Sequence, residues 1–324
     1  MYSPDQYRAL RDGAGVLDRP SRGCLRLTGA DRRTFLQGLL TNDTVSLVPG
    51  TGCYAAYLTA QGRMIADMRV FETGDDMIVD LDASQAASIA GRWSQLVFSE
   101  DVEVANVTDL TAEVGLYGPA AARVAASVAG VVEGDLDRLP LHGNRRLGIA
   151  LVVRSDECGV MGFDVIVPVD MKDETVQRAV EAGAIAIDPA LADACRIEAG
   201  RPVFLVDMDD ETIPLEAGIE DRAISLTKGC YVGQEIIIRV LHRGHGRVAR
   251  RLVRLSFGEG APVPARGDRI LSGEREIGSV TSAAVSPSTG HPIALGYVHR
   301  DFAEAGKEVA VRHGDARLAG IVRV

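Results

Sequence analysis

The segment after Arg250 is divided into short runs of alternating apolar and polar residues, separated by Gly, Pro and Asp. The six runs lie at 252–257, 269–272, 276–282, 293–299, 308–312 and 317–322. Alternation with a period of two is typical of strands with one buried face. Gly314-Asp315, between the last two runs, suits a two-residue hairpin turn. Because no helical pattern interrupts these runs, we expect a small β-barrel or sandwich, and we place this domain at residues 246–324.

Residues 53–107 show a different order, in which three strands precede a helix and a fourth strand. The strands are predicted at 54–58, 63–71, 77–81 and 102–107, and the helix at 83–98 with Ser84 as its N-cap. This order predicts an α+β unit with a small antiparallel sheet. We assign it to an N-terminal domain at residues 1–245, which also holds a strand at 22–28 and a helix at 31–40.

Composition narrows the class of protein. A chain of 324 residues predicts two or three domains, and its net charge of −10 argues against broad contact with nucleic-acid phosphates. Its five cysteines are scattered without a CxxC pair, so we expect free thiols and no metal site. We find no apolar run of about 20 residues and no secretory signal, which predicts a cytoplasmic protein without a membrane span.

Glu198 is the first candidate site residue. It ends a predicted helix that Asp188 caps, Pro189 begins and Gly200 terminates, and it lies on the same apolar stripe as Cys195. A carboxylate facing the core needs partners that hydrogen-bond to it. Those partners are either an arginine (Arg196, Arg201 or one distant in the chain) or a ligand with two adjacent N–H groups, and the pattern leaves both open.

Asp67 is the second candidate. It shares one face of the predicted strand at 63–71 with Arg63 and Arg69, whereas Met64 and Met68 share the other. One interpretation is a cross-strand ion pair on a solvated face. The other is a positioned carboxylate that holds or deprotonates an amine.

The third candidate is the segment 228–235, Lys-Gly-Cys-Tyr-Val-Gly-Gln-Glu, which precedes a strand-like run at 236–240. Gly229 and Gly233 indicate positive φ or a close backbone approach. Lys228 favours a thiolate at Cys230 if the two side chains converge. The alternative is an inert, packed thiol.

A basic run covers residues 239–254 and contains His242 and His245. It is either a solvated face or a surface that attracts an anion. The glycines around the two histidines argue against a metal site there.

These motifs resemble the glycine-cleavage T-protein superfamily and, within it, the YgfZ branch of folate-binding proteins. The resemblance covers nearly the whole chain. It rests on Phe35-Leu36-Gln37-Gly38-Leu39-Leu40-Thr41-Asn42-Asp43, Gly62-Arg63 leading to Asp67, Arg196-Ile197-Glu198-Ala199-Gly200, Ile213-Pro214-Leu215-Glu216-Ala217-Gly218, and the segment 228–235. This last segment resembles the signature of the YgfZ branch, since true T-proteins usually lack its cysteine.

The resemblance implies an α+β fold of three subdomains in a cloverleaf, with a ferredoxin-like unit at about 53–107 and a C-terminal β-barrel. It implies tetrahydrofolate, or a one-carbon derivative, as cofactor. Glu198 matches the residue that holds the pterin, and Tyr54, Asp67 and Glu216 are the further cofactor-binding residues. Asp67 and Cys230 are the catalytic candidates. The signature residues are Lys228, Gly229, Cys230, Tyr231, Gly233, Gln234 and Glu235.

Two functions follow from the resemblance. The first is a tetrahydrofolate-binding factor that supports iron–sulfur cluster assembly or repair and, through such enzymes, tRNA modification, with iron–sulfur enzymes or assembly proteins as partners. The alternative is a folate-dependent aminomethyl or one-carbon transferase. T-proteins have an Asp-Asp pair where this chain has Ala66-Asp67, and the retained acid leaves folate chemistry possible. An RNA-binding factor that uses the basic run is a third hypothesis.

Overall fold

The structure, a computed structural model, describes residues 3–132, 134–243 and 247–323, apart from the side chains at 242 and 243. Its strands form a five-stranded sheet, a six-stranded sheet and a closed six-stranded barrel. The strands, in chain order, are β1 Gly15–Asp18, β2 Arg22–Thr28, β3 Thr51–Leu58, β4 Met64–Glu72, β5 Met77–Asp82, β6 Glu103–Asn106, β7 Thr111–Tyr117, β8 Asn144–Leu147, β9 Ala150–Ser155, β10 Gly162–Pro168, β11 Ile185–Ala186, β12 Arg250–Phe257, β13 Arg269–Ser272, β14 Arg275–Val285, β15 Pro292–His299, β16 Glu308–His313 and β17 Ala316–Arg323.

Helices connect these strands. They are α1 Pro4–Asp12, α2 Arg32–Leu39, α3 Ala83–Ser94, α4 Ala121–Ala129, α5 Gly134–Asp137, α6 Lys172–Glu181, α7 Pro189–Glu198, α8 Pro214–Ala217, α9 Glu220–Ala223 and α10 Gln234–Ile238. A π-helical turn at Arg239–Arg243 follows α10. Within the described ranges, no helix is long and apolar enough to cross a membrane.

The five-stranded sheet has the order β3-β4-β5-β2-β6, and all its neighbouring strands are antiparallel. It contains the four strands predicted between 53 and 107, and it also includes β2, which lies earlier in the chain. Met64 and Met68 of β4 point into a core that holds Trp93 of α3, and all three are at most 1% exposed. The predicted apolar face of β4 is therefore confirmed.

The six-stranded sheet has the order β11-β1-β7-β10-β9-β8 and packs against the five-stranded sheet. Phe71 and Ile78 of the first sheet meet Val153 and Ile166 of the second in one apolar cluster. The second face of β4 is thus covered by protein, and Arg69 on that face is only 1% exposed. The interpretation of this face as solvated is wrong, because packing of the two sheets buries it.

The barrel closes in the order β12-β15-β14-β13-β16-β17. This confirms the barrel and excludes the sandwich. The predicted bounds of β13 agree with the structure, and Gly314-Asp315 forms the turn between β16 and β17, with Gly314 at φ 57°. Val298 and Val311 lie fully buried in the barrel core.

Two local predictions are wrong. The run at 236–240 begins in helix α10 and is not a strand. Helix α3 is capped by Asp82, whose carboxylate accepts from the Ser84 backbone N–H, and not by Ser84. The boundary at residue 245 and His245 itself lie outside the described residues, so the division into domains stays a prediction. Among the residues that the structure describes, no group of three or more acidic, His or Cys side chains could hold a metal.

Candidate functional site

A cavity of 230 Å³ lies where the two sheets meet helix α7. Residues from both sheets and from the chain after α7 line it. The lining residues that can take part in chemistry are Arg19, Arg22, Asp67, Asp82, Tyr117, Glu157, Cys158, Asp193 and Arg196. Ligand pockets commonly hold about 300–1,000 Å³, so this cavity suits a small reacting group better than a whole cofactor.

Asp67 reaches this cavity from β4 and is held by a tyrosine of the neighbouring strand. The Tyr54 hydroxyl donates a hydrogen bond to Asp67 Oδ2 at 2.7 Å. Burial raises the pKa of Asp67 to about 6, although Arg22 and the Tyr54 hydrogen bond act in the opposite direction. A carboxylate with this pKa is ionised at neutral pH and basic enough to take a proton from a reacting amine.

Arg69, Arg22 and Arg19 form a network of ion pairs beside the cavity. The Arg69 guanidinium contacts Asp80, Glu113 and Asp164, which come from both sheets. Arg22 makes two hydrogen bonds to Asp80, at 2.8 and 2.7 Å. Bidentate pairs of this kind are rigid as well as strong.

Arg19 is the third of these arginines, and it completes the network on the side of the second sheet. It lies 2.9 Å from Glu113 and 3.0 Å from Asp164. It also donates to the Tyr117 hydroxyl at 2.9 Å. The network therefore ties the two sheets together beside Asp67.

Glu157 enters the same cavity from the loop after β9. Its Oε2 lies 3.5 Å from an Arg19 nitrogen, and its side chain remains 25% exposed. Although burial opposes ionisation, the guanidinium groups of Arg69 and Arg19 lower the pKa of Glu157 to about 2. Glu157 is thus ionised at neutral pH, whereas Asp67 in the same cavity can exchange a proton near neutral pH.

Glu198 lines a second cavity, of 360 Å³, between α7 and the barrel. Its Oε1 accepts a hydrogen bond from Ser286 at 2.9 Å and another from Ser288. Helix α7 contributes Asp193 and Arg196 to the first cavity and Glu198 to the second. The predicted helix caps are confirmed, since Asp188 accepts from Ala190 N–H and Gly200 has φ 71°. Neither Arg196 nor Arg201 makes an ion pair with this carboxylate; they contact Asp207 and Asp156 instead.

Tyr54 and Glu216 occupy different surroundings. Tyr54 is buried, and the Arg222 guanidinium lies over its ring at 5.4 Å from the centroid. Glu216 accepts from Arg250 Nε at 3.0 Å, which joins α8 to the first barrel strand. Glu216 does not line the cavity beside Asp67. Its contact with a cofactor stays a prediction.

The Lys228 side chain is buried and is held by backbone carbonyl groups of an earlier segment. Its ammonium donates to the carbonyl oxygens of Gln37, Leu40 and Asn42 at 2.8, 2.6 and 2.8 Å. These acceptors lie at and just beyond the end of α2, where backbone carbonyls lack helical partners. Burial lowers the pKa of Lys228 to about 8. All three ammonium donors are thus engaged by carbonyls and do not activate Cys230.

The two glycines of the segment 228–235 differ in backbone conformation and in the space around them. Gly233 has φ 85°, and a Cβ there would lie 2.5 Å from the Thr59 carbonyl oxygen. Gly62, in the turn between β3 and β4, packs against Gly233 and would meet Ile236 at 2.9 Å if it carried a Cβ. Gly229 has nothing within 4 Å of the corresponding position. The close approach predicted for the motif is confirmed at Gly233 only.

The remaining signature residues lie at the surface or in the core nearby. Cys230 is the exposed member of the five free cysteines. Tyr231 is buried, and burial raises its pKa to about 12. Glu235 pairs with Arg239 at 2.7 Å on α10, and Gln234 begins that helix. None of these side chains lines the cavity beside Asp67.

Three arginines of the basic run make contacts within the protein. Besides the pairs of Arg239 and Arg250 described above, Arg254 donates to the Glu198 carbonyl oxygen at 3.0 Å. The side chains of His242 and Arg243, and residue His245, lie outside the described part of the chain, so RNA binding by this run stays a hypothesis.

Sequence reasoning missed Arg19, Arg22, Tyr117 and Glu157 as members of the site. They lie far from Asp67 in the chain, and only the packing of two sheets brings them together. Only Arg22 carries a signal in the sequence, as a charged residue on a predicted strand, since Arg19 and Glu157 lie in turns and Tyr117 fits an ordinary core strand.

Two protein-family models together match most of the chain. Residues 2–228 match the model of the GCVT N-terminal domain, and residues 250–323 match that of the glycine cleavage T-protein C-terminal barrel domain. An aminomethyltransferase of Rubrobacter xylanophilus is 31% identical, over 95% of this chain and 82% of the relative. An aminomethyltransferase of Corynebacterium jeikeium is 28% identical, over 93% of this chain and 83% of the relative.

One solved structure has the same fold over almost the whole chain. It is the crystal structure of glycine cleavage system aminomethyltransferase T from Bartonella henselae, with a TM-score of 0.88 and 21% sequence identity. The match covers 99% of this chain and 88% of that chain. The α+β fold of three subdomains predicted from the resemblance is therefore confirmed.

Proposed function

Because the chain belongs to the glycine cleavage T-protein family, we propose that it is a tetrahydrofolate-dependent aminomethyl or one-carbon transferase. The observation that carries this proposal is the Tyr54–Asp67 pair, which places a carboxylate with a pKa of about 6 in a small cavity. The relatives described above are named aminomethyltransferases, which favours this alternative over the iron–sulfur factor.

The proposed reaction transfers one carbon from the donor to the folate. A donor R–X–CH₂–NH₃⁺ gives its carbon to tetrahydrofolate, with loss of R–XH and ammonium; two carbon–nitrogen bonds to the folate form while the C–X bond and the original C–N bond break. The two protons that leave the folate nitrogens go to X and to the departing ammonia. Asp67 accepts such a proton, because its pKa lies close to neutral pH. Tyr54 orients the carboxylate.

Glu198 is the proposed pterin-holding residue. Its Oε1 is oriented by the two serine hydroxyls, which leaves Oε2 as the acceptor for a ligand N–H group. The cavity of 360 Å³ beside it falls within the usual range for ligand pockets. The residues present therefore fit a pterin ring, and the assignment itself rests on the resemblance.

A second candidate function is the iron–sulfur factor of the YgfZ type. The observation in its favour is the exposure of Cys230, since the other four cysteines are less accessible and burial raises the pKa of each of them to about 12. The two functions separate in a deletion strain that carries single variants. If Cys230→Ser abolishes function and Asp67→Asn does not, the transferase proposal is wrong.

Calorimetry with tetrahydrofolate tests the ligand directly. We expect the wild-type protein to bind the folate and Glu198→Gln to weaken binding at least tenfold, because one acceptor of the carboxylate becomes an amide donor. Glu216→Gln serves as the comparison for the second predicted cofactor residue. Absence of binding at millimolar folate, or unchanged affinity in Glu198→Gln, overturns the pterin assignment.

A further inference from the structure

Another cavity, of 330 Å³, opens between the two sheets and shares no lining residue with the cavity beside Asp67. Strand β2 contributes Arg22 to the cavity beside Asp67, and it contributes Cys24 and Arg26 to this one, which we call the Arg26 cavity. Its volume falls within the usual range for ligand pockets, about 300–1,000 Å³. The Arg26 cavity is therefore a separate space of a size that suits a small ligand.

The deeper walls of the Arg26 cavity are apolar. Ile78 of the five-stranded sheet and Leu151 of the six-stranded sheet line it, and they are 7% and 3% exposed. At its mouth, Leu110 and Ile149 are 66% and 62% exposed. Single exposed apolar side chains are ordinary, but these two border one cavity whose walls belong to the core. An apolar chain in this cavity contacts both pairs and removes their apolar surface from water.

The polar part of the Arg26 cavity holds more positive than negative charge. Arg26 and Arg146 share a single carboxylate, since Arg26 Nε donates to Asp76 Oδ2 at 2.8 Å and Arg146 Nη2 donates to Oδ1 at 2.7 Å. Asp76 is the one acidic side chain among the described residues that line the cavity. One guanidinium charge is therefore left in excess, in a protein whose net charge is −10.

The capacity of Asp76 for hydrogen bonds is used by the protein, whereas that of the two arginines is not. Both Asp76 oxygens accept from arginine, and Oδ1 also accepts from the Thr73 hydroxyl at 2.5 Å. Within the described chain, Arg146 Nη2 makes one further, long contact with Thr73 at 3.4 Å, and the other N–H groups of both guanidiniums have no protein acceptor. The side chains of Arg26 and Arg146 are 51% and 36% exposed, so a ligand can reach these donors.

We propose that the Arg26 cavity binds an amphipathic monocarboxylate, with the apolar chain between the two sheets and the carboxylate at Arg26 and Arg146. The planar guanidinium fork matches the two oxygens of a carboxylate. A small inorganic anion leaves the apolar walls uncovered, and a cation is repelled by the excess positive charge. This site goes beyond the proposed carbon transfer and does not depend on it, because Asp67 and Glu198 line other cavities.

Titration calorimetry of the whole chain with sodium octanoate, octylammonium chloride and sodium acetate tests the proposal. Octylammonium has the same chain with the opposite charge, and acetate has the carboxylate almost without a chain. We expect saturable binding of octanoate, and binding of the other two that is at least about tenfold weaker. Absence of saturable octanoate binding at millimolar concentration, or equal affinity for octylammonium, overturns the proposal. Cosedimentation with phosphatidylglycerol vesicles in the absence of octanoate binding overturns it in favour of a membrane contact.

The Arg146→Gln variant locates the carboxylate of the ligand. Octanoate binding should weaken at least about tenfold, because Asp76 then neutralises the one remaining arginine of the cavity. Arg145→Gln is the matched control, since it removes the same charge from the neighbouring residue of β8, which pairs with Asp135 at 3.4 Å and does not line the cavity. Its affinity should stay close to that of the wild type. Unchanged binding to Arg146→Gln, or an equal loss in Arg145→Gln, contradicts the assignment.

The Ile149→Ser variant tests the position of the apolar chain. Ile149 is exposed in the free protein, so the substitution should affect folding little and should weaken octanoate binding. Val180→Ser is its control, because Val180 of α6 is 48% exposed and lies outside the cavity. Equal octanoate affinity in Ile149→Ser and the wild type overturns the placement of the chain. The comparison of the three ligands on the wild type decides the proposal even if a variant fails to fold.

Discussion

The Tyr54 hydroxyl donates to Asp67 Oδ2 at 2.7 Å across two adjacent antiparallel strands. In the register of β3 and β4, Ala56 faces Asp67 and Tyr54 faces Arg69. The two side chains are therefore diagonal neighbours on one face, a spacing that an aromatic side chain can bridge. This places a proton-accepting carboxylate in a fixed position at the cavity, because its partner is buried and cannot move with solvent.

The Tyr54–Asp67 pair predicts that the rate of carbon transfer depends on pH. Transfer should require ionised Asp67, so the rate should rise with pH and level off above about 6. Tyr54→Phe removes a hydrogen bond that lowers this pKa, so the midpoint should move upward by about one pH unit. A pH–rate profile of both proteins measures this shift. A midpoint that moves downward or stays in place in Tyr54→Phe contradicts the role of the pair.

The ionised Asp67 carboxylate should also lower the free energy of unfolding at neutral pH. Its pKa is higher in the folded protein than the ordinary value of 3.8, so its stabilising contribution is complete below pH 3.8 and is lost as the pH rises through about 6. Asp67→Asn should therefore be more stable than the wild type at pH 8, by of the order of 1–3 kcal/mol, and nearly equal to it at pH 4. Thermal unfolding at both pH values measures the difference. A difference that does not change with pH argues against a partly buried, titrating carboxylate at Asp67.

The two glycines of the segment 228–235 should respond differently to alanine. Gly233→Ala should lower the free energy of unfolding by about 2 kcal/mol or more, because φ is 85° and the Cβ would lie 2.5 Å from the Thr59 carbonyl oxygen. Gly229→Ala has open space at the same atom and should change stability by less than about 0.5 kcal/mol. Urea unfolding of both variants provides the test. Equal effects show that the motif is not held by backbone approach at Gly233.

Lys228 should be needed for stability and not for chemistry at Cys230. Lys228→Met leaves the carbonyl oxygens of Gln37, Leu40 and Asn42 without their shared donor, which should cost about 2–4 kcal/mol of unfolding free energy. Lys307→Met is the control, because this exposed lysine makes a surface pair with Glu304 at 3.7 Å. The alkylation rate of Cys230 in the folded protein should be the same in Lys228→Met and the wild type. A slower rate would restore the activating role that the sequence suggested.

The barrel and α7 could be predicted because their signals are local. Alternation marks each barrel strand, and Asp188 and Gly200 mark the two ends of the helix by capping and positive φ. The run at 236–240 could not be assigned correctly, since a short apolar segment fits a strand or a buried helix equally well.

The site itself depends on packing that sequence patterns do not encode. Asp67 was recognisable on its strand, but Glu157 and Arg19 in the same cavity come from the loop after β9 and from the turn after β1. The close approach at Gly233 was expected from its residue type, whereas the three carbonyl partners of Lys228 were not, because they lie 186 to 191 residues away in the chain.

The most direct test of the proposed function follows the carbon itself. The wild type and Asp67→Asn are incubated with 5,10-methylenetetrahydrofolate labelled with ¹³C at the methylene carbon, ammonium chloride and a small dithiol as acceptor, and mass spectrometry counts the labelled aminomethyl dithiol formed and the tetrahydrofolate released. We predict release at least about 100-fold faster than the spontaneous reaction for the wild type, and a rate near the spontaneous one for an Asp67→Asn protein that still binds the folate. A wild-type rate at the spontaneous level, or equal rates for the two proteins, contradicts a transferase that works through Asp67.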